Sequence, residues 1–265
     1  MRTLLLFFLS IILFSACTDF EYSPHQVFDR DSPADLNNKN LARLLQTPAD
    51  DTLRFIVSGD SQTAENDVPV FVKKVNEMQG VDLVFLAGDI SEFGALQEME
   101  WLVDEFKKLK APYFGVIGNH DLLGNGSKVF GRMFGDRNYS FNYGGVKFVC
   151  HDTNGREYNF NGQVPDMDWL QSELRTVGGN RSYVTVAHVR PYSTDFDPAL
   201  STFYTDALNS NPGTLASFFA HDHSFGEYRP NNSRIPMIVT TSIGERGFLL
   251  VEIVNGRLSY ERIRF

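Results

Sequence analysis

Residues 53–60 read LRFIVSGD and residues 82–89 read DLVFLAGD: twice, a short apolar run stops at Gly-Asp. Between them Val68, Phe71, Val72, Val75 and Met78 recur at helical spacing, and residues 95–109, ALQEMEWLVDEFKKL, carry a second amphipathic helix pattern. A third apolar run, APYFGVIGNHD, occupies residues 111–121. Strand, helix, strand, helix, strand predicts neighbouring parallel strands joined by right-handed crossovers.

Outward from this unit the pattern changes. Residues 139–153, YSFNYGGVKFVCHDT, are two alternating runs about Gly144-Gly145, a hairpin signal. A helix is expected in PDMDWLQSELRTV (165–177), a buried strand in SYVTVAHV (182–189), a helix in PALSTFYTDALNS (198–210) and a strand in TLASFFAHDH (214–223). The tail, with FGEYRP, PMIVTTS and GFLLVEIVNGRLSYERIRF, is mainly antiparallel strand turning at Asn255-Gly256. A parallel first half and an antiparallel second half predict an α/β protein of two packed sheets with helices outside. No repeat or low-complexity region interrupts it.

The chain of 265 residues, 42% hydrophobic and 22% charged, is long enough for one substantial core. A net charge of -9 with no basic stripe argues against a nucleic-acid surface. Residues 1–16 read as an export signal: Arg2, an apolar run from Leu4 to Phe14 too short for a spanning helix of about 20 residues, then Ser15 and Ala16 before Cys17. This stretch resembles a bacterial lipoprotein signal, which implies cleavage before Cys17, a lipid on its sulfur, and membrane attachment through that anchor alone. Thr18, rather than Asp, points to the outer membrane. Residues 17–52 read as a tether with a short packed-on segment, LARLLQ at 41–46 supplying a short helix, and residues 53–265 as the main domain. Cys150, in an apolar strand, has no intrachain partner if Cys17 is lipidated, and nothing near it marks a catalytic thiol.

The polar clusters fall where the apolar runs end: SGDSQ (58–62), AGDIS (87–91), IGNHD (117–121), AHV (187–189) and AHDH (220–223). Carboxyl ends of strands face the ligand crevice in open α/β sheets, so these loops can converge. They offer Asp60, Asp89, Asn119, His120, His188, His221 and His223, and carboxylate with imidazole suits Zn, Fe or Mn better than Ca or Mg. Alternation puts His221 and His223 on one face of an extended segment. Taken singly, a Gly-Asp is a turn and a lone His a packed side chain; the ordered conjunction argues for chemistry.

The sequence here resembles the calcineurin-like metallophosphoesterase family, whose signature is Asp-x-His, Gly-Asp, Gly-Asn-His-Asp/Glu, a lone His, and Gly-His-x-His. The matching residues are Asp60-Ser61-Gln62, Gly88-Asp89, Gly118-Asn119-His120-Asp121, His188, and Ala220-His221-Asp222-His223, over about residues 53–250. The resemblance implies a four-layer α/β/β/α sandwich, two mixed sheets face to face, and two divalent metals. Asp89 would bridge them, Asp60 and His223 would belong to the first, and Asn119, His188 and His221 to the second. His120 would face the substrate and assist the leaving oxygen, with Asp121 orienting His120. Paired cations about 3.5–4 Å apart acidify a bridging water and stabilise in-line displacement at phosphorus. Phosphomonoesters are the expected substrates, cyclic nucleotides or other diesters the near alternative, and a non-catalytic ligand-binding lipoprotein the contrasting one.

Two positions depart from the signature. Gln62 stands where the family has His: its amide oxygen coordinates directly, holds a metal-bound water, or marks a decayed site. Ala220 replaces Gly, a strain only if that position needs positive φ. Asp152-Thr153-Asn154 either lines the cleft or caps a loop. Arg190, two residues past His188, either reaches a phosphate oxygen or forms a surface pair, and Arg246 is a weaker candidate of that kind.

Overall fold

The computed structural model describes residue 28 and residues 30–175 and 182–265. The predicted export signal and lipidated Cys17 lie outside the described residues. Among those described, no helix is long and apolar enough to cross a membrane.

Helix α1 (Leu36–Leu44) precedes strand β1 (Thr52–Ser58); α2 (Val68–Glu77), β2 (Leu83–Ala87), α3 (Leu96–Phe106) and β3 (Tyr113–Val116) complete the first crossover unit. Then come α4 (Gly126–Met133), β4 (Tyr139–Tyr143), β5 (Val146–Cys150), α5 (Met167–Leu174), β6 (Ser182–Val186), α6 (Ser201–Ser210) and β7 (Thr214–Phe219). Strands β8 (Gly226–Tyr228), β9 (Met237–Val239), β10 (Gly247–Val254) and β11 (Arg257–Arg264) close the chain. The turns at Gly144-Gly145 and Asn255-Gly256 have positive φ at both central residues, the geometry that suits tight hairpins.

Both sheets are mixed. One has the order β11-β10-β1-β2-β3, the other β4-β5-β6-β7-β9-β8. The two halves of the chain therefore do not map onto a parallel and an antiparallel sheet. β10 returns to pair antiparallel with β1, Phe55 opposite Val251, while β5, β6, β7 and β9 run parallel in the other sheet. Strands β2 and β6 are buried at every position and β7 at all but one, as expected of parallel strands covered on both faces.

The sheets face each other across an aromatic layer. Phe55, Phe85 and Phe114 from one meet Phe141, Phe148 and Phe218 from the other, all buried, with Phe55–Phe148 at 5.3 Å and Phe114–Phe141 stacked at 4.5 Å. Helices α2, α3 and α4 cover the outer face of the first sheet and α5 and α6 that of the second. The result is an α/β/β/α sandwich. Helix α1 begins at Leu36, earlier than the LARLLQ segment suggested, and packs on edge strand β3 through buried Leu36, Asn37, Asn40 and Leu44.

Candidate metal centre

The loops after β1, β2 and β3 carry Asp60, Asp89 and Asn119, and those after β6 and β7 carry His188, His221 and His223. Both sheets thus contribute at one edge. Asp60, Asp89, His221 and His223 all have positive φ, between 51° and 71°, a costly conformation for non-glycine residues that is held here by surrounding bonds. The amides of Ser61 and Gln62 donate to the Asp89 carbonyl, Asp60 N–H donates to the Gly88 carbonyl, and His221 N–H donates to the Asp60 carboxylate at 3.1 Å. Gly88 must be glycine, because a Cβ there would stand 2.3 Å from His188 Nδ1. Ala220 does not have positive φ, so its methyl carries no backbone strain.

Asp89, His188 and His221 bring one ligand atom each to within 4.8 Å of one another, a set that fits a single cation. Asn119 Oδ1 is 3.1 Å from His188 Nε2, and Asp89 Oδ2 is 3.2 Å from the same nitrogen. Burial opposes a charge on His188, but the carboxylates of Asp89 and then Asp60 outweigh it and push the imidazole up to about 10. Burial likewise opposes ionisation of Asp89, and the opposing charge of His188 holds its carboxyl below the ordinary range. That much concentrated negative charge, in protons' absence, calls for a cation.

Asp60, Gln62 and His223 gather beside Asp89. His223 Nε2 lies 3.4 Å from Asp60 Oδ1, and Gln62 Nε2 lies 3.1 Å from Asp89 Oδ2 and 3.2 Å from His223 Nε2. Gln62 Oε1 is buried without a hydrogen-bond partner. Rotating the carboxamide by half a turn would exchange the inward amino group for that oxygen, placing a neutral donor beside Asp60, Asp89 and His223.

Three of the rings have an oxygen partner outside the ligand set. His188 Nδ1–H donates to the Ala87 carbonyl at 2.8 Å, His120 Nδ1–H to the Glu92 carbonyl at 2.8 Å, and His221 Nε2 lies 2.8 Å from Asp195 Oδ2. Glu92 and Asp195 were invisible in the sequence pattern; the only signal was position, Glu92 three residues past Asp89 and Asp195 seven past His188, at the same edge. The expectation that Asp121 orients His120 is corrected. Its buried carboxylate accepts from the amides of Ile90, Ser91 and Gly118 and from the Ser91 hydroxyl, clasping the Asp89 loop to the Asn119 loop. The His120 ring is held by the Glu92 carbonyl instead, while the His120 main-chain N–H donates to Asp89 Oδ1 at 2.9 Å.

Asp152, Thr153 and Asn154 are buried braces. Asn154 Nδ2 donates to the Ile117 carbonyl, and Thr153 Oγ1 accepts from Val189 N–H. Arg190 is tied through Nε to Asp222 Oδ2 at 2.8 Å, with its guanidinium 4.1 Å from the Tyr228 ring centroid; Arg246 is tied to Asp67. Both therefore form side-chain pairs in this structure. Burial pushes the Cys150 thiol up to about 12, the state of an inert core residue.

A 3',5'-cyclic-nucleotide phosphodiesterase of Nostoc sp. is 25% identical over 120 residues, 44% of this chain and 45% of the relative. The chain thus spans less than half the length of the curated relatives it matches. Among solved structures, a dimetal phosphatase from Danio rerio superimposes with a TM-score of 0.62 at 13% identity, over 80% of this chain and 99% of the other. The purple acid phosphatase PPD1 from yellow lupin seeds gives 0.62 at 13%, over 82% and 52%. These two likenesses concern the fold. The profile of the calcineurin-like phosphoesterase family matches residues 53–225, which hold every residue of the centre described above, and the chain belongs to that family.

Proposed function

We propose that this protein is a metal-dependent hydrolase of phosphate esters, with Asp60, Gln62, Asp89, Asn119, His188, His221 and His223 as the metal-holding set. The observation that carries the reading is the meeting of Asp89, His188 and His221 from two sheets, with ligand atoms within 4.8 Å. When bound, two divalent ions (Mn, Fe or Zn) would supply Lewis-acid charge to phosphoryl oxygens and lower the pKa of water. The remaining work falls to the chain. Asp89 lies between His188 on one side and Gln62 on the other and is the residue that two ions would share. Gln62, with its carboxamide turned over, would present its oxygen as a neutral donor. His120, with Nδ1–H held on the Glu92 carbonyl, presents Nε2 as the nitrogen from which its imidazolium form would pass a proton to the leaving oxygen, returning to the neutral Nδ1–H imidazole. No nucleophilic Ser or Cys is needed.

A phosphomonoester is the default substrate. A diester, cyclic nucleotides included, is the second reading, and two observations favour it. The Nostoc relative bears that activity in its name, and Arg190 is already paired with Asp222, leaving less cationic charge for a dianionic monoester. A lipid anchor at Cys17, holding the enzyme at the bacterial outer membrane, belongs to the same proposal; Cys17→Ser should release the protein from the membrane fraction.

The test is a panel of phosphomonoesters and phosphodiesters with the Mn-loaded protein. His120→Ala should retain metal while turnover falls by about 10²–10⁴-fold, and Asp89→Ala should lose both. Equal metal loss in the two variants would contradict the role of His120. Less than one equivalent of bound metal in the unaltered protein, with no hydrolysis, would replace the enzyme by a ligand-binding lipoprotein.

A further inference from the structure

We propose that Asp195, in the loop between β6 and α6, is a positioning residue for the metal centre: it fixes His221 in the tautomer whose Nδ1 carries the lone pair. This rests on the metal-centre reading above. Asp195 Oδ2 lies 2.8 Å from His221 Nε2. A neutral imidazole that donates from Nε2 has Nδ1 as its one available ligand nitrogen, and a carboxylate acceptor both selects that form and raises the basicity of the opposite nitrogen.

The carboxylate is itself fixed. Its other oxygen accepts from Arg156 Nη1 at 2.6 Å, and the Asp195 main-chain carbonyl accepts from Arg156 N–H at 3.0 Å. Both partners come from the turn after β5, so a third loop is recruited to hold one ring. The side chains of His221 and Asp195 are 18% and 15% exposed, against 64% for Arg156. The inner pair is therefore largely withdrawn from water, while the guanidinium is a solvated outer support. His188 is served differently, by the neutral Ala87 carbonyl. Asp195 is not one of the three residues whose atoms converge, which separates it from the ligands. A plain ion pair between His221 and Asp195 would make the same contact and leave metal affinity untouched.

The deciding experiment titrates the full-length protein and its variants with Co²⁺ against a competing chelator and records the visible spectrum of the bound ion. Asp195→Ala should weaken Co²⁺ binding by about 10–100-fold and shift the visible bands, because the His221 ring is no longer held. Asp195→Asn, which keeps an acceptor oxygen without the charge, should restore part of the affinity. Arg156→Ala should change it by less than about five-fold, as expected for an exposed pair. If Asp195→Ala does not fold, Asp195→Asn decides alone. Wild-type affinity and bands in the folded Asp195 variants would overturn the proposal and leave the metal centre standing. Failure of the unaltered protein to bind Co²⁺ would overturn both.

Discussion

Asp121 is a carboxylate with four hydrogen-bond donors aimed at it, from Ile90, Ser91 twice, and Gly118, at 2.8–3.1 Å. Burial, and then the charge of Asp89, push it up to about 6 despite those donors. The folded state then holds a proton that the unfolded chain has released, so this residue's contribution to stability weakens as pH rises from 3.8 to about 6. Asp121→Asn removes the charge but presents an NH₂ to groups that are themselves donors. Each stranded donor costs about 1–3 kcal/mol, so the urea midpoint at pH 7 should fall; an unchanged midpoint would show that the clasp is dispensable. His151 has the opposite sign. Burial lowers it from 6.5 to about 4, with Nε2 at 2.9 Å from the Tyr204 hydroxyl. The unfolded chain takes up the proton first, so stability declines as pH falls through that interval, by on the order of 3 kcal/mol. His151→Gln should flatten the acid limb of a plot of unfolding free energy against pH, and an unaltered slope between pH 4 and 6.5 would exclude His151 as its source.

Helix α1 shows why an element can matter more than its sequence suggests. β3 is an edge strand, and an edge leaves backbone groups unpaired. Asn37 answers both groups of one residue: its Oδ1 accepts Gly115 N–H at 2.8 Å and its Nδ2 donates to the Gly115 carbonyl at 3.0 Å. The side chain thus stands in for a neighbouring strand. Asn37→Ala would strand the buried Gly115 N–H and should cost about 1–3 kcal/mol in urea denaturation; a loss within about 0.5 kcal/mol, the size of an ordinary surface change, would mean water replaces the amide. Nothing in DLNNKN announces this, because asparagine is a poor helix former and its partner lies 78 residues away. The strands of the crossover unit were legible for the converse reason: burial on both faces writes itself as an unbroken apolar run. Helix α4 was not legible, being short and carrying two glycines in GSKVFGRM. The residues that converge at the sheet edge were legible as a cluster because their order along strand ends constrains them together. Glu92 and Asp195 were not, since a single acidic loop residue acquires its role only when another loop approaches it.

The two sheets are held together in the middle by aromatic packing and at one edge by the centre. Asp60, Asp89 and Asn119 hang from the first sheet, His188, His221 and His223 from the second. A cation shared by ligands from both sheets can bind strongly only when the sheets are docked, so its binding energy adds to the stability of the docked form. At a free metal concentration 100 times the dissociation constant the gain is about 2.7 kcal/mol. For a domain of this size that is about 5–10 °C in melting temperature. The aromatic layer acts independently: Phe55→Ala, which empties a position touching Phe85, Phe148 and Phe218, should cost about 3–5 kcal/mol yet keep the increment on adding Mn²⁺. Asp89→Ala should lose the increment, because the carboxylate that meets ligands from the second sheet is gone. Scanning calorimetry of the three proteins with and without Mn²⁺ separates the cases. An increment that survives in Asp89→Ala would place the stabilising ion somewhere other than between the sheets.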